Sequence, residues 1–331
     1  MPSSSTRTSP VPQAVPDGTA APSSAAGIEP QRKAAWADVL AVPCLDRAVL
    51  VVTGRDRVSW LNGLLTCDLA TGPVAQGRYG LFVGRNGRIL ADARIVFSDT
   101  EALVSVPRAV VAALRPHLEH YLVMEDAEIA ERVDGFEPWM LHGPRSDDLL
   151  AVMRGAGAIG GSLDATGLGG AIVFVPTERR VDVLQALEKG LRDVGGLVGD
   201  DAGWEALRLE RGIPRFGRDF DETTYPQEAR LEATAVSFKK GCYLGQEVIC
   251  MLELRGHVRR HLVSLVLEAG DPPPRGSPVI NEAGEPLGEI TSAARSPSPG
   301  VPSCMAMLRR ASAQPGQSVR VGGLAGRVVV P

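Results

Sequence analysis

At 331 residues, with 44% apolar and 22% charged side chains, the chain is long enough to bury two or three cores. Its formal net charge of −4 offers polyphosphate no global attraction, which argues against a dedicated nucleic-acid or membrane-surface binder. No apolar run approaches the ~20 residues a membrane helix needs, so a soluble protein is expected.

Residues 1–30 are rich in Ser, Pro and Ala and almost devoid of large apolar side chains. Such a segment cannot offset its own ordering entropy, so a disordered tail is expected over 1–34, with no secretory h-region in it. RAVLVVTG (47–54) predicts a strand, and DRVSWLNGLLTCDL (56–69) a helix with Val58, Leu61, Leu64 and Leu65 on one face and Asp56 as its cap. RYGLFVGRNGRILADARIVF (78–97) reads as a hairpin about Asn86-Gly87, and LVSV (103–106) as a further strand. RAVVAALRPHLEHYLV (108–123) predicts a helix that Pro116 breaks or kinks.

Strands are expected at 127–133 and 138–143, a helix from Ser146, and a buried strand at 171–176. Residues 177–195 form an amphipathic helix pattern ending at glycine, and 201–212 another. From about 258 the chain turns into short strands separated by turn signals, the pattern of a small β-barrel. The expected class is α+β, with a body at 35–250 and a β-barrel module at 251–331.

Five cysteines, Cys44, Cys67, Cys242, Cys250 and Cys304, are scattered without a C-x-x-C pair. That is neither a disulfide framework nor a zinc or cluster array, so no stably bound metal is expected, and a reducing cytoplasm fits best. Gly155, Gly157 and Gly160 match the dinucleotide fingerprint but follow a helix and run into more glycine, which reads as a flexible loop. His117 with His120, and His257 with His261, have ligand-like spacing, but no carboxylate or thiolate joins them, and surface and packing roles are expected. RGHVRR (255–260) reads as a solvated connector, with contact to an anionic ligand tail such as a polyglutamate as the alternative.

The most informative stretch is KKGCYLGQE (239–247). Gly241 and Gly245 permit positive φ or close approach, which predicts a tight turn. Lys239 and Lys240 beside Cys242 favour the thiolate, so the residues alone describe a partly exposed thiol in a positive environment.

KGCYLGQE, with Ser237-Phe238 before it and RGHVRRHL after it, resembles the signature of the YgfZ family of folate-binding iron–sulfur maintenance proteins. These are relatives of the glycine-cleavage T-protein, an aminomethyltransferase. VTGRDRVSWLNGLLTCDL, GRNGRILADARIV and LRLERGIPRFGRDFDETTYPQEARLE add to the resemblance, which spans about residues 38–331. It implies a T-protein-like three-subdomain ring around a cavity for a reduced folate such as tetrahydrofolate, closed by the C-terminal barrel. On the resemblance, Glu210 pairs with the pterin edge, where a carboxylate accepts two parallel N–H bonds. Asp92 lies near the reactive folate nitrogen, and Tyr243 and Gln246 join the cofactor-binding set. Read from the residues alone, Glu210 is a helix-surface carboxylate pairing with Arg208 or Arg211, and Asp92 a strand-end turn residue.

Two features set the chain apart. The arginine that the family usually carries four residues beyond GQE is Met251 here, so a fixed cation is lost. The T-proteins, in turn, lack the Gly-Cys insert that supplies Cys242. Cys250 reads as packing, with a Cys242–Cys250 redox pair as the alternative.

The implied function is accessory: folate in the cavity, Cys242 meeting clusters of iron–sulfur proteins such as tRNA-modifying ones, and Lys240 assisting the thiol. The alternatives are a tetrahydrofolate-dependent aminomethyltransferase and a scaffold-only binding paralogue. No direct nucleic-acid or membrane contact is expected in any of them.

Overall fold

The computed structural model describes residues 27–71, 76–130, 134–256, 258–296 and 301–330. Residues 1–26 of the tail expected over 1–34, residues 131–133 of one expected strand, and His257 lie outside them. In chain order come α1 (Ile28–Ala37), β1 (Leu40–Pro43), β2 (Arg47–Thr53), α2 (Arg57–Leu64), β3 (Arg78–Val83), β4 (Ile89–Phe97) and β5 (Ala102–Pro107). Then follow α3 (Val111–Glu119), β6 (Glu128–Ala130), β7 (Phe136–His142), α4 (Ser146–Gly155), β8 (Ile159–Ser162) and β9 (Gly170–Pro176). After α5 (Arg180–Val194), β10 (Leu197–Val198), α6 (Asp201–Glu210), α7 (Glu232–Ala235) and α8 (Gln246–Arg255) the chain enters its terminal strands. These are β11 (Arg260–Leu267), β12 (Pro278–Ile280), β13 (Pro286–Arg295), β14 (Pro302–Arg309), β15 (Ser318–Val321) and β16 (Leu324–Val329).

Two sheets form the body, ordered β3-β4-β5-β2-β6 and β10-β1-β7-β9-β8. Their central strands are apolar on consecutive residues because both faces are covered. In β2, Leu50 and Val52 point to a core shared with α2 and α3, whereas Val49 and Val51 point to the other sheet. In β9, Val173 and Val175 meet α4 and α5, and Ile172 and Phe174 complete the layer between the sheets. The result is helices, sheet, sheet, helices, the stacking that lets every strand bury two faces.

The remaining strands close into a barrel, β11-β14-β13-β12-β15-β16, around its own apolar interior. α6 joins barrel to body. Its Leu209 packs on Leu262, Met305 and Met307 of the barrel, and Arg208, 0% exposed, bonds Glu205, Asp219 and Ser292. No helix among the described residues is long and apolar enough to cross a membrane.

Several local expectations change in context. Helix α1 begins at Ile28, ahead of the expected body start at 35, because its buried Gln31, Ala34 and Ala35 dock on the body. Asp56 stands at the N-cap of α2 without capping it; its carboxylate accepts the Asp126 N–H at 2.9 Å instead. Pro116 neither breaks nor stops α3, which runs on to Glu119 with Leu114 and Leu118 anchored in the core. The glycine-rich stretch read as a loop is partly strand β8. At Gly160 a Cβ would meet the Ile172 carbonyl at 2.7 Å, so glycine lets β8 lie close on β9. It opens no helix, as a dinucleotide fingerprint would need.

Candidate functional site

Strand β4 positions the central residues. Its Ala91, Ala93 and Ile95 enter the helix-side core, so Asp92, Arg94 and Val96 share the opposite face. Val96 still lies in the layer between the sheets. At Arg94, two residues earlier, a cavity opens.

The cavity has two chambers, of about 480 and 420 Å³, with Arg94 and Pro214 on the walls of both. Chamber one lies between Tyr79 of β3, the Asp164 loop and residues 230–237. It is lined by Arg78, Arg94, Arg211 and Arg230 against two acids, Asp68 and Asp164. The acids are already satisfied: Asp164 accepts N–H bonds from Thr166, Gly167 and Gly169, and Asp68 bonds Ala70 N and Thr71. Arg211 donates to the Thr166 carbonyl and Arg230 to the Ala313 carbonyl, and neither forms an ion pair among the described residues. The chamber is therefore electropositive.

Asp92 is buried in chamber two's wall, in mid-strand rather than at the strand end that the residues alone suggest. Arg47 Nη1 reaches its two carboxylate oxygens at 3.0 and 3.2 Å, and the same guanidinium bonds Ser105 Oγ and the Ser105 and Asp92 carbonyls. Burial, then the Asp92 charge, push the pKa of the neighbouring Tyr79 phenol up. Arg94 differs from its neighbours. Burial is the largest influence and opposes its charge, Asp92 and the groups around it together outweigh that opposition, and it forms no hydrogen bond or ion pair among the described residues.

Chamber two also carries Cys44 and His142. Burial pushes the Cys44 thiol up. His142 is fully buried, stacked on Trp204 with centroids 4.4 Å apart and planes 5° apart, and neither ring nitrogen has a hydrogen-bond partner among the described residues. Burial, then the Arg94 charge, lower its pKa from 6.5 to about 3. The unfolded chain therefore takes up a proton below pH 6.5 that the folded one refuses until about pH 3. Stability from this group is full above that window and falls as pH drops through it, by about 1.4 kcal/mol per pH unit. His142→Phe keeps the stack and loses no hydrogen bond. Urea unfolding should find it near wild type at pH 7 and increasingly more stable than wild type toward pH 4; parallel pH profiles would contradict the assignment.

The cysteine loop lies next to chamber one, whose lining ends at Val236 and Ser237. Cys242 is exposed. Gly245 takes φ 76°, and a Cβ there would meet the Gly84 carbonyl at 2.4 Å, so the loop docks against the β3–β4 hairpin. Gly87, at φ 74° in that hairpin's turn, leaves room for Val248 of α8. Gly241 has open space around it and φ outside the positive range, so the expected need for glycine holds at one of the two positions.

Lys240 does not turn to the thiol beside it. Its ammonium donates to the carbonyls of Asn62, Leu65 and Cys67 at 2.5, 2.8 and 2.8 Å, capping the end of α2, and lies over the Tyr243 ring. Burial lowers its pKa to about 8. Tyr243 is buried among Leu81, Val83 and Ile249, its hydroxyl without a hydrogen bond among the described residues, and Gln246 Oε1 accepts the Tyr243 N–H at 3.3 Å. Neither lines a chamber. Both fasten the loop. Cys250 is a free, half-buried thiol on α8, and Met251 is exposed beside it.

Glu210 ends α6, one residue before the chamber-one lining begins at Arg211. Its carboxylate is held bidentately by Arg32 of α1, at 2.8 and 2.8 Å, rather than by Arg208 or Arg211. Arg32 and Arg211 flank the Trp36 ring from 5.3 and 5.6 Å. Sequence reasoning missed Arg32 and Arg94: one stands just before the assigned body, the other looks like an ordinary strand-face cation.

Residues 42–158 match the GCVT N-terminal domain family, and residues 260–330 the glycine cleavage T-protein C-terminal barrel domain. An aminomethyltransferase of Streptomyces coelicolor is 29% identical over 289 residues, covering 81% of this chain and 77% of the relative. A tRNA-modifying protein YgfZ of Yersinia enterocolitica is 27% identical over 251 residues, covering 72% of this chain and 74% of the relative. The fold matches the glycine cleavage system aminomethyltransferase T from Bartonella henselae with a TM-score of 0.78 at 21% identity, over 92% of this chain and 88% of that one. With both T-protein domains in order along one chain, and relatives of both kinds matched over most of their length, the protein belongs to the YgfZ and glycine cleavage T-protein family.

Proposed function

We propose that this is a folate-binding accessory protein of the YgfZ type, which supports assembly or repair of iron–sulfur clusters through Cys242. The observation that carries the reading is the contrast among the thiols. Cys67 and Cys304 are buried, with pKa values pushed up to about 11 and about 12 chiefly by desolvation, whereas Cys242 is exposed on a fastened loop beside chamber one. A single cysteine cannot hold a cluster, since stable sites take about four protein ligands. Its contact with the cluster of an iron–sulfur protein is therefore transient or shared with that protein, in the cytoplasm.

Chamber one fits a reduced folate. Its volume of about 480 Å³ lies in the range of small-molecule sites, and its surplus of arginines suits a ligand that ends in carboxylates. Glu210 takes the pterin edge by exchanging Arg32 for two ligand N–H groups. Asp92 stays with Arg47 and holds the partition firm, Lys240 pins the base of the loop, and Tyr243 and Gln246 brace it. Cys242→Ser should leave stability and tetrahydrofolate binding unchanged and abolish complementation of a strain lacking its YgfZ-type protein. Full rescue by the serine variant would remove the thiol from the function.

The match to aminomethyltransferases over 81% of the chain favours a second reading, one-carbon transfer to tetrahydrofolate with Asp92 near the folate nitrogen. Methylene-tetrahydrofolate formation from an aminomethyl-carrying protein would support it, and Cys242 would then be dispensable. A calorimetric titration that detects no tetrahydrofolate binding would leave only a scaffold function.

A further inference from the structure

Arg32 and Glu210 meet as two forks. Arg32 Nε donates to one carboxylate oxygen and Nη2 to the other, both at 2.8 Å, with the two side chains 20% and 18% exposed. The helices that carry them are fixed against each other. The buried Gln31 of α1 accepts the Asp200 N–H at 3.1 Å where α6 begins, and Ala35 packs with Leu207 of α6. A Cβ on Gly203 would collide with Gln31, so glycine there lets α1 lie close on α6. The backbone on both sides of the pair is held, and what can move is the Arg32 side chain. One turn further along α1, the half-exposed Trp36 ring is flanked by Arg32 and by Arg211, which lines chamber one.

The fork that Arg32 presents has the shape of a pterin edge. A 2-amino-4-oxopteridine carries a ring N–H beside an exocyclic amino group, two parallel in-plane donors like the Nε–H and Nη2–H of a guanidinium. The two cannot share one carboxylate. We propose that Arg32 is an internal competitor for the pterin, occupying Glu210 in the free protein and setting the affinity for the ligand by the cost of its own displacement. This rests on the reading of chamber one as a folate site with Glu210 at the pterin edge. Apparent affinity then scales with the fraction of molecules in which Glu210 is free. The displaced guanidinium keeps the Trp36 ring, 5.3 Å away, as its platform.

The test titrates the full chain calorimetrically with tetrahydrofolate and with 6-methyltetrahydropterin, which has the same edge and no carboxylate. Arg32→Gln should bind both about five- to tenfold more tightly than wild type, because a neutral amide gives up Glu210 more readily than a bidentate cation does. Arg32→Lys keeps a charge against Glu210 and loses the fork, so its gain should be smaller, about two- to threefold. Lys33→Gln removes the neighbouring exposed cation, which pairs with Glu29, and should change neither affinity. An Arg32 with a merely structural role would lower the urea midpoint when replaced and would not tighten binding. If wild type binds tetrahydrofolate and neither folded Arg32 variant binds 6-methyltetrahydropterin more tightly, this proposal is overturned and the folate reading stands. Absence of tetrahydrofolate binding by wild type and by both variants refutes the folate reading and this proposal with it.

Discussion

Arg208→Ala should lower the unfolding free energy by about 3–5 kcal/mol and loosen the barrel from the body. Arg208 is 0% exposed and binds Glu205, Asp219, the Ile213 carbonyl and Ser292. Asp219, itself buried, also accepts from Thr291 of β13 and from the Arg215 N–H. Removing the guanidinium leaves the Asp219 carboxylate in a closed site with one charge partner gone, and that uncompensated charge dominates the cost. Ser292→Ala removes one bond from the same node and should cost about 1 kcal/mol. Urea unfolding gives the energies, and limited proteolysis between α8 and β11 reports on undocking. An Arg208→Ala protein within 1 kcal/mol of wild type, and no more readily cleaved, would show that apolar contacts through Leu209 suffice to hold the barrel.

The second large effect belongs to Asp92 and Arg47. Either Asp92→Leu or Arg47→Met strands a buried charge, and each should cost about 3–5 kcal/mol. The double variant replaces both charges with apolar groups, so its loss should fall well below the sum of the singles. The cycle also separates the two functional readings. If Asp92 serves only as Arg47's partner, the double variant, once folded, should still bind tetrahydrofolate and complement. If Asp92 acts on the folate nitrogen, stability returns and one-carbon transfer does not. Additive losses in the cycle would mean that the pair is not the unit described.

Much of the fold could be read locally. The Asn86-Gly87 turn, the α5 periodicity ending at Gly195, and the apolar run of β9 each depend on a few neighbouring residues, and each forms as expected. Helix α8 escaped notice because its apolar residues follow no helical stripe; among them only Ile249 is buried. Strand β8 was hidden by glycines that serve packing against β9. In the cysteine loop the two lysines look equivalent in sequence. One is exposed, and the other is drawn into the end of α2, because only tertiary docking brings three free carbonyls within its reach.

By itself the amino-acid order determined the kinds of element, their sequence along the chain, the barrel after the body, and the singular position of Cys242 in KGCYLGQE. Those properties rest on spacings of two to four residues and on turn chemistry, which operate within a short stretch of chain. Tertiary structure alone decided the charge partnerships: Arg47 with Asp92 across 45 residues, Arg32 with Glu210 across 178, and Lys240 with carbonyls 173 to 178 residues away. It also decided that Arg94 forms no ion pair among the described residues. Ion pairing depends on distance and desolvation in the folded chain, and no local pattern encodes which of 35 cations will meet which of 39 acids.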